Sequence, residues 1–397
     1  MNETIRLYDD APYETEFDAQ VLSVLPGSRE GTADVVLDRT LFFPEEGGQT
    51  PDCGTMEGMT VEDVQIRNGV ITHTVLTGDG ELFAEGSTVH GRIDWEHRFG
   101  NMQNHTGEHI LSGLLHNIYG YENVGFRLSD NTVTLDTSGQ LDDEQILDLE
   151  RRANRVVFAN VPVICEYPDP AALAAMEYRS KKDVGPNVRV VTIEGVDRCA
   201  CCAPHVRRTG EVGLIRVIDV LHTRKDMRLT IVCGERAIGD LQKKAQQLRE
   251  ISHMTNLPQE RAADGVRHFQ EEIAGLKEKI RAMQQRYADM RLQEILAQAG
   301  DNGLKDCWVF EDELDPAVQR HFMNRLLEHP FRYVGVFAGS DTDGWNYVIG
   351  SRSQDSGIPG RLLKEQFGAR GGGKPVMIQG SVKAAESDLM AAFGELS

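Results

Sequence analysis

The chain has 397 residues, 40% hydrophobic and 26% charged, with a formal net charge of −20. That length exceeds a single typical core, so roughly two to four domains are expected. The acid excess excludes non-specific binding of nucleic acid over the whole surface, which needs Lys and Arg on phosphate, but leaves room for a local basic face on a specific RNA.

No apolar run reaches the roughly 18 residues of a membrane span, and the opening "MNETIRLYDDAPYE" lacks the basic start and apolar stretch of a secretory signal. A cytoplasmic protein without membrane contact is expected. Seven cysteines, three of them crowded into "CACC" at 199–202, point to metal or redox chemistry rather than a disulfide framework.

Residues 1–95 read as β-rich. "AQVLSVLP", "TADVVLDRTLFF", "MTVEDVQIRNGVITHTVL" and "STVHGRIDW" are short β-branched runs broken by Gly, Asp and Asn, the pattern of a small barrel. The stretch "FFPEEGGQTPDCG", 42–54, carries too many turn formers for a strand and reads as an exposed loop. Residues 96–235 form a mixed core. It contains a helix with "NHTGEHILSGLLH", a strand pair at "GFRLSDNTVTLDT", a helix over 141–161, and further strands at "VRVVTIEGV" and "VGLIRVIDVLHTRKDMRLTIVCG".

Residues 236–300 change character. Ile238, Leu241, Ala245 and Leu248, and then Val266, Phe269, Ile273, Leu276, Ile280, Met283, Tyr287 and Met290, repeat at 3–4 spacing. A helical hairpin or coiled-coil arm follows, with a break at "MTNLPQE", and such an arm suits a homodimer. Residues 301–397 return to α/β and include the glycine cluster "FGARGGGKP". The fold class expected is α+β: an N-terminal small β-barrel, an α+β core, the arm, and a C-terminal α/β domain.

His105 and His109 stand one turn apart on a single helix face. Roughly ninety residues on, "CACCAPHV" adds thiols and His205. Thiolate and imidazole are the donors Zn²⁺ prefers, and two donors from each of two distant segments make a zinc site. Spacing leaves open which cysteine binds: Cys199 and Cys202 also form a CxxC able to clamp a metal or act as a redox pair.

At this point the sequence resembles a known family. "HTGEHIL" with "CCAPHV" is similar to the HxxxH and CxxxH zinc signature of the editing domain of alanyl-tRNA synthetases and of their free-standing relatives, the AlaX proteins. "LDRTLFFPEEGGQTPDCG" is similar to the family's glycine-rich loop, "VCGERAI" to the junction into the helical arm, and "FGARGGGKPVMIQG" to the DHH-associated C-terminal domain. The layout, without an aminoacylation domain in front, is that of the long form of AlaX.

The resemblance implies one Zn²⁺ per chain on His105, His109, Cys201 and His205, leaving out Cys199 and Cys202. Where the commonest family form has Gly-Gly-Thr between the last two ligands, this chain has Cys202, Ala203 and Pro204. The implied reaction is hydrolysis of seryl-tRNA(Ala), with glycyl-tRNA(Ala) as a second substrate, at the acceptor end of alanine tRNA. Thr40 and Gln49 are candidate partners for the serine hydroxyl, and Glu108 is a candidate acid or base. Gly47 and Gly48 shape the loop on the substrate, and Arg370 and Lys374 are candidates for RNA phosphate.

Two rivals follow from the same residues. "HTGEH" also fits H-x-x-E-H, the signature of a zinc peptidase with Glu108 as general base, a reading that gives Cys201 and His205 no role. A zinc-stabilised RNA-binding module without catalysis is the other. "RGGGKP" lacks the GxxxxGK[ST] spacing of a phosphate loop.

Overall fold

A computed structural model describes residues 3–77, 83–180, 188–299 and 305–396. The fold is mixed α+β. The chain forms two compact units, Met1–Gln247 and Leu248–Ser397, so the division falls inside the helix Glu235–Thr255.

In the first unit, strands Glu16–Pro26, Thr32–Leu37, Val70–Leu76, Met59–Arg67, Gly54–Met56 and Thr88–Ile93 pair in that order, and the last pairs back onto the first. Strict alternation drives this. Along Glu16–Pro26 every second residue from Phe17 to Ser23 is buried, and Val35, Val64, Ile71 and Val75 converge from the neighbouring strands on one interior.

The helix Trp95–Tyr119 follows. Asp94 caps its start, with the side chain accepting from His97 N at 3.1 Å, and Gly120 ends it in the left-handed conformation. Nearly every residue from Arg98 to Ser112 is buried, so this is a central helix rather than an amphipathic surface one. Its small residues make that possible. A Cβ on Gly113 would sit 2.3 Å from the backbone oxygen of Val196, so only glycine lets the helix approach that turn.

Around the helix lie a sheet ordered Ile215–His222, Met227–Cys233, Val133–Thr137 and Asn123–Leu128, and a three-stranded sheet of Val163–Glu166, Val190–Ile193 and Asp197–Ala200. The helix Asp143–Ala159 carries a complete capping box and buries Ile146, Leu149, Ala153 and Val157 in the same core.

The second unit contains the 38-residue helix Ala262–Ala299 and a sheet ordered Asp306–Glu311, Tyr333–Ser340, Gly344–Gly350, Met377–Val382 and Arg370–Lys374. The glycine cluster is thus a strand, antiparallel to Met377–Val382 and at the sheet edge. Glycine is a poor strand former, but pairing across a tight turn at Pro375 and Val376 supplies the ladder that composition does not predict. Residues 300 and 301, where the arm is expected to end, lie outside the described residues.

Candidate metal centre

The central helix presents His105 and His109 toward the end of strand Asp197–Ala200, where the chain turns through Cys201 to His205. One donor atom from each of these four residues lies within 4.8 Å of all the others. The Cys201 Sγ stands 3.5 Å from His105 Nε2 and 3.3 Å from His205 Nε2. A tetrahedral zinc with N and S bonds of roughly 2.05 and 2.3 Å separates such donors by about 3.6 Å, so the spacing fits.

Each imidazole is also held from behind. Gln49 Oε1 accepts from His105 Nδ1 at 2.7 Å, Asp197 Oδ2 from His109 Nδ1 at 2.8 Å, and Thr106 Oγ1 lies 3.0 Å from His205 Nδ1. Gln49 Oε1 and Asp197 Oδ2 can only accept, so the proton of His105 and of His109 sits on Nδ1 and each Nε2 lone pair is left free, the support that histidine-bound metals require. Arg179 in turn grips the other oxygen of Asp197 at 2.8 Å.

The electrostatics agree. Burial, then Cys202, pushes the Cys201 thiol well above its ordinary range, while burial, then His109 and His105, pushes His205 well below its own. A neutral His205 ring and a thiol closed away from water are an expensive pair unless a cation binds and draws off the thiol proton. Burial works against the Asp197 carboxylate, but His109 and Arg179 outweigh it and hold its pKa below the usual value. His109, Asp197 and Cys199 form a second close group, yet both Asp197 oxygens already serve His109 and Arg179.

The CxxC alternatives fare differently from Cys201. The Cys202 thiol lies beside Gly47 and is raised to about 12 by burial and then Glu46, the opposite of a reactive redox thiol. Ala203 is wholly buried in the interior of the stranded ring, so the departure from Gly-Gly-Thr packs the metal segment against that ring.

The glycine loop reaches the same place. Gly47 and Gly48 are both left-handed, and Gln49 N donates to Glu46 O at 3.1 Å to close the turn. Leu128 N donates to Gly48 O at 2.7 Å and Thr50 N to Leu128 O at 3.2 Å, which zips the loop to strand Asn123–Leu128. A Cβ at Gly48 would meet Phe126 O at 2.7 Å, so glycine is required there. The base of the loop is stapled to the central helix by the fully buried ion pair of Asp52 and Arg98, with Asp52 also accepting from Phe43 N at 2.6 Å.

The remaining predicted residues are distributed as follows. Thr40 is completely buried: its Oγ1 is 2.9 Å from His73 Nε2 and accepts from Phe42 N at 3.0 Å. Glu108 is buried, and its carboxylate accepts from Ser112 Oγ and from Asn123 Nδ2 at 2.5 Å. Arg370 and Lys374 lie in the second unit, both exposed on the edge strand. Sequence reasoning missed Asp197, Thr106, Arg179, Asp52 and Arg98. Two of them had a signal: Thr106 lies inside "HTGEH", and Asp197 comes four residues before Cys201.

The chain is similar in sequence to known proteins. The model for class II (A) tRNA synthetases matches residues 11–97, and that for the threonyl and alanyl tRNA synthetase second additional domain matches residues 188–241. The alanyl-tRNA editing protein AlaX-L of Pyrococcus horikoshii is 35% identical over 243 residues, 59% of this chain and 59% of that protein. The alanine–tRNA ligase of Pyrococcus abyssi is 31% identical over 407 residues, 96% of this chain and 42% of the ligase. That of Pyrococcus furiosus is 33% identical over 306 residues, 74% of this chain and 33% of the ligase. The chain thus spans from a third to three fifths of the length of these relatives. It resembles the alanyl-tRNA editing protein AlaX-L and the aligned parts of the alanine–tRNA ligases.

Proposed function

We propose that this protein is a zinc-dependent deacylase that hydrolyses the ester of mischarged alanine tRNA, seryl-tRNA(Ala) first and glycyl-tRNA(Ala) second. The observation that carries the reading is the convergence of His105, His109, Cys201 and His205, each imidazole held at Nδ1 so that Nε2 is presented inward. The relatives named for alanyl-tRNA editing and for alanine–tRNA ligation supply the substrate class.

Zn²⁺ on this set would fix the two segments in register, and with four protein donors it keeps no open position for water. The peptidase reading needs an open position and a free general base. It is disfavoured by the fourth donor and by the engagement of Glu108 with Ser112 and Asn123.

Selectivity is assigned to Thr40. His73 Nδ1 faces the carbonyl oxygen of Val35 at 3.0 Å, so that nitrogen carries the proton and Nε2 accepts from the Thr40 hydroxyl. Thr40 is left with a lone pair and no hydrogen to give. It can accept from the hydroxyl of serine and gains nothing from alanine, and a site built to pair a hydroxyl can reject the analogue lacking it.

The reading extends to the rest of the chain. We assign a small barrel to 1–95, the editing core to 96–235, the arm to 236–300 and a DHH-associated-type domain to 301–397. Arg370 and Lys374 are assigned to tRNA phosphate. The exposed stripe along the helix Ala262–Ala299 is assigned to a second copy of the chain, and the cytoplasm, where charged tRNA resides, is its compartment.

Incubation with seryl- and alanyl-tRNA(Ala), with and without a chelator, tests the function. Seryl-tRNA is expected to lose its amino acid much faster than alanyl-tRNA, and the chelated protein to be inactive. Full activity in a folded, metal-free sample would overturn the zinc assignment, and tRNA binding without deacylation would favour the non-catalytic RNA module.

A further inference from the structure

We propose that Gln49 serves the site twice: its carbonyl oxygen orients His105, and its amide nitrogen donates to the carbonyl oxygen of the ester as that oxygen gains negative charge. The inference rests on the deacylase reading above and adds an oxyanion donor to it.

His105 presents Nε2 toward Cys201, so its proton sits on Nδ1, 2.7 Å from Gln49. A protonated nitrogen requires an acceptor, so the amide atom facing it is oxygen, and the NH₂ group is turned away from the ring. There Gln49 is 0% exposed, and its Nε2 meets no hydrogen-bond partner among the described residues. The turn that carries it is fastened at both ends, by Gln49 N to Glu46 O and by Leu128 N to Gly48 O. A buried donor without an acceptor is costly, and a loop this well bonded keeps it in place.

Ester hydrolysis supplies the missing acceptor. Water adds to the carbonyl carbon, and the C=O electron pair moves onto oxygen. The pair then returns as the bond to the ribose oxygen breaks, and that oxygen takes up the proton released by the water. The products are the free amino acid and tRNA with its terminal hydroxyl restored. A metal held by all four of these residues would not meet the charge on the carbonyl oxygen, so a fixed neutral donor is what the step lacks. The serine hydroxyl, being uncharged, is the weaker acceptor for the same N–H.

Two variants separate the two roles. Gln49→Glu keeps an oxygen on His105 and removes the donor, whereas Gln49→Leu removes both. With Co²⁺ in place of zinc, Gln49→Glu is expected to keep the wild-type visible spectrum and metal content. Its deacylation kcat should fall about 10²–10³-fold, equally on seryl- and alanyl-tRNA(Ala). Gln49→Leu should show the same loss together with an altered Co²⁺ spectrum and faster loss of metal to a chelator.

Near-normal turnover by Gln49→Glu, or a loss confined to the seryl ester, would overturn the oxyanion role. An unchanged spectrum in Gln49→Leu would overturn the orienting role. Wild-type protein that binds metal but releases no amino acid would instead overturn the deacylase reading, and this inference with it.

Discussion

His73 shows how one buried side chain couples stability to pH. It points into the interior of the stranded ring, gives its Nδ1 proton to Val35 O and accepts from Thr40 at Nε2. Burial lowers its pKa from 6.5 to about 4, with the hydrogen bond to Val35 opposing. In the folded protein the ring stays neutral down to about pH 4, whereas in the unfolded chain it takes up a proton below 6.5. The unfolded state therefore binds more protons between these values, and stability falls as pH falls through that window, by about 3 kcal/mol in all for this group. Urea unfolding of wild type and of His73→Asn at pH 7 and pH 4.5 checks this. The wild type should lose more stability on acidification than the variant, and parallel losses would contradict the assignment of a neutral buried ring.

At the scale of elements, the central helix and the long second-unit helix are opposites. The first is buried nearly all round, with glycines where neighbours press closest. The second leaves its apolar positions open: Val266, Phe269, Ile273, Leu276, Ile280, Met283, Tyr287 and Met290 are each 41–68% exposed. Their strict seven-residue repeat is the pattern a coiled-coil seam requires, while further along the helix Ala288 and Leu292 are buried in the core of the second unit. Light scattering should therefore find a dimer for the wild type and a monomer for the double variant Ile273→Glu with Ile280→Glu, with helix content by circular dichroism preserved. A monomeric wild type at micromolar concentration would contradict the pairing.

What was legible follows the same division. The paired strands at 59–67 and 70–76, the heptads and the histidine pair are all periodic in sequence, and period alone reports on faces. The edge strand Arg370–Lys374 was not legible, since its glycines carry no strand propensity and only pairing makes them extended. Arg179 and the Asp52–Arg98 staple were invisible for a related reason. Each is an ordinary surface residue type until the fold closes around it. The likeness to alanyl-tRNA editing proteins could suggest which cysteine belongs with the histidines, while the distances bring Cys201 to them and leave Cys202 beside Gly47 and Glu46.

For the molecule as a whole, the first unit contains the entire candidate centre, built from the ring's glycine loop, the central helix and the turn after Asp197–Ala200. The net charge of −20 means that any tRNA contact is local and salt-sensitive rather than spread over the surface. Four donor side chains from the helix and the turn, with Gln49 of the loop behind His105, make up this candidate site. X-ray absorption at the zinc edge of the purified protein reads that site directly. The prediction is three nitrogen neighbours at about 2.0–2.1 Å and one sulfur at about 2.3 Å, with the sulfur lost in Cys201→Ala. A spectrum with no sulfur shell, or a sulfur shell that survives Cys201→Ala, would contradict it.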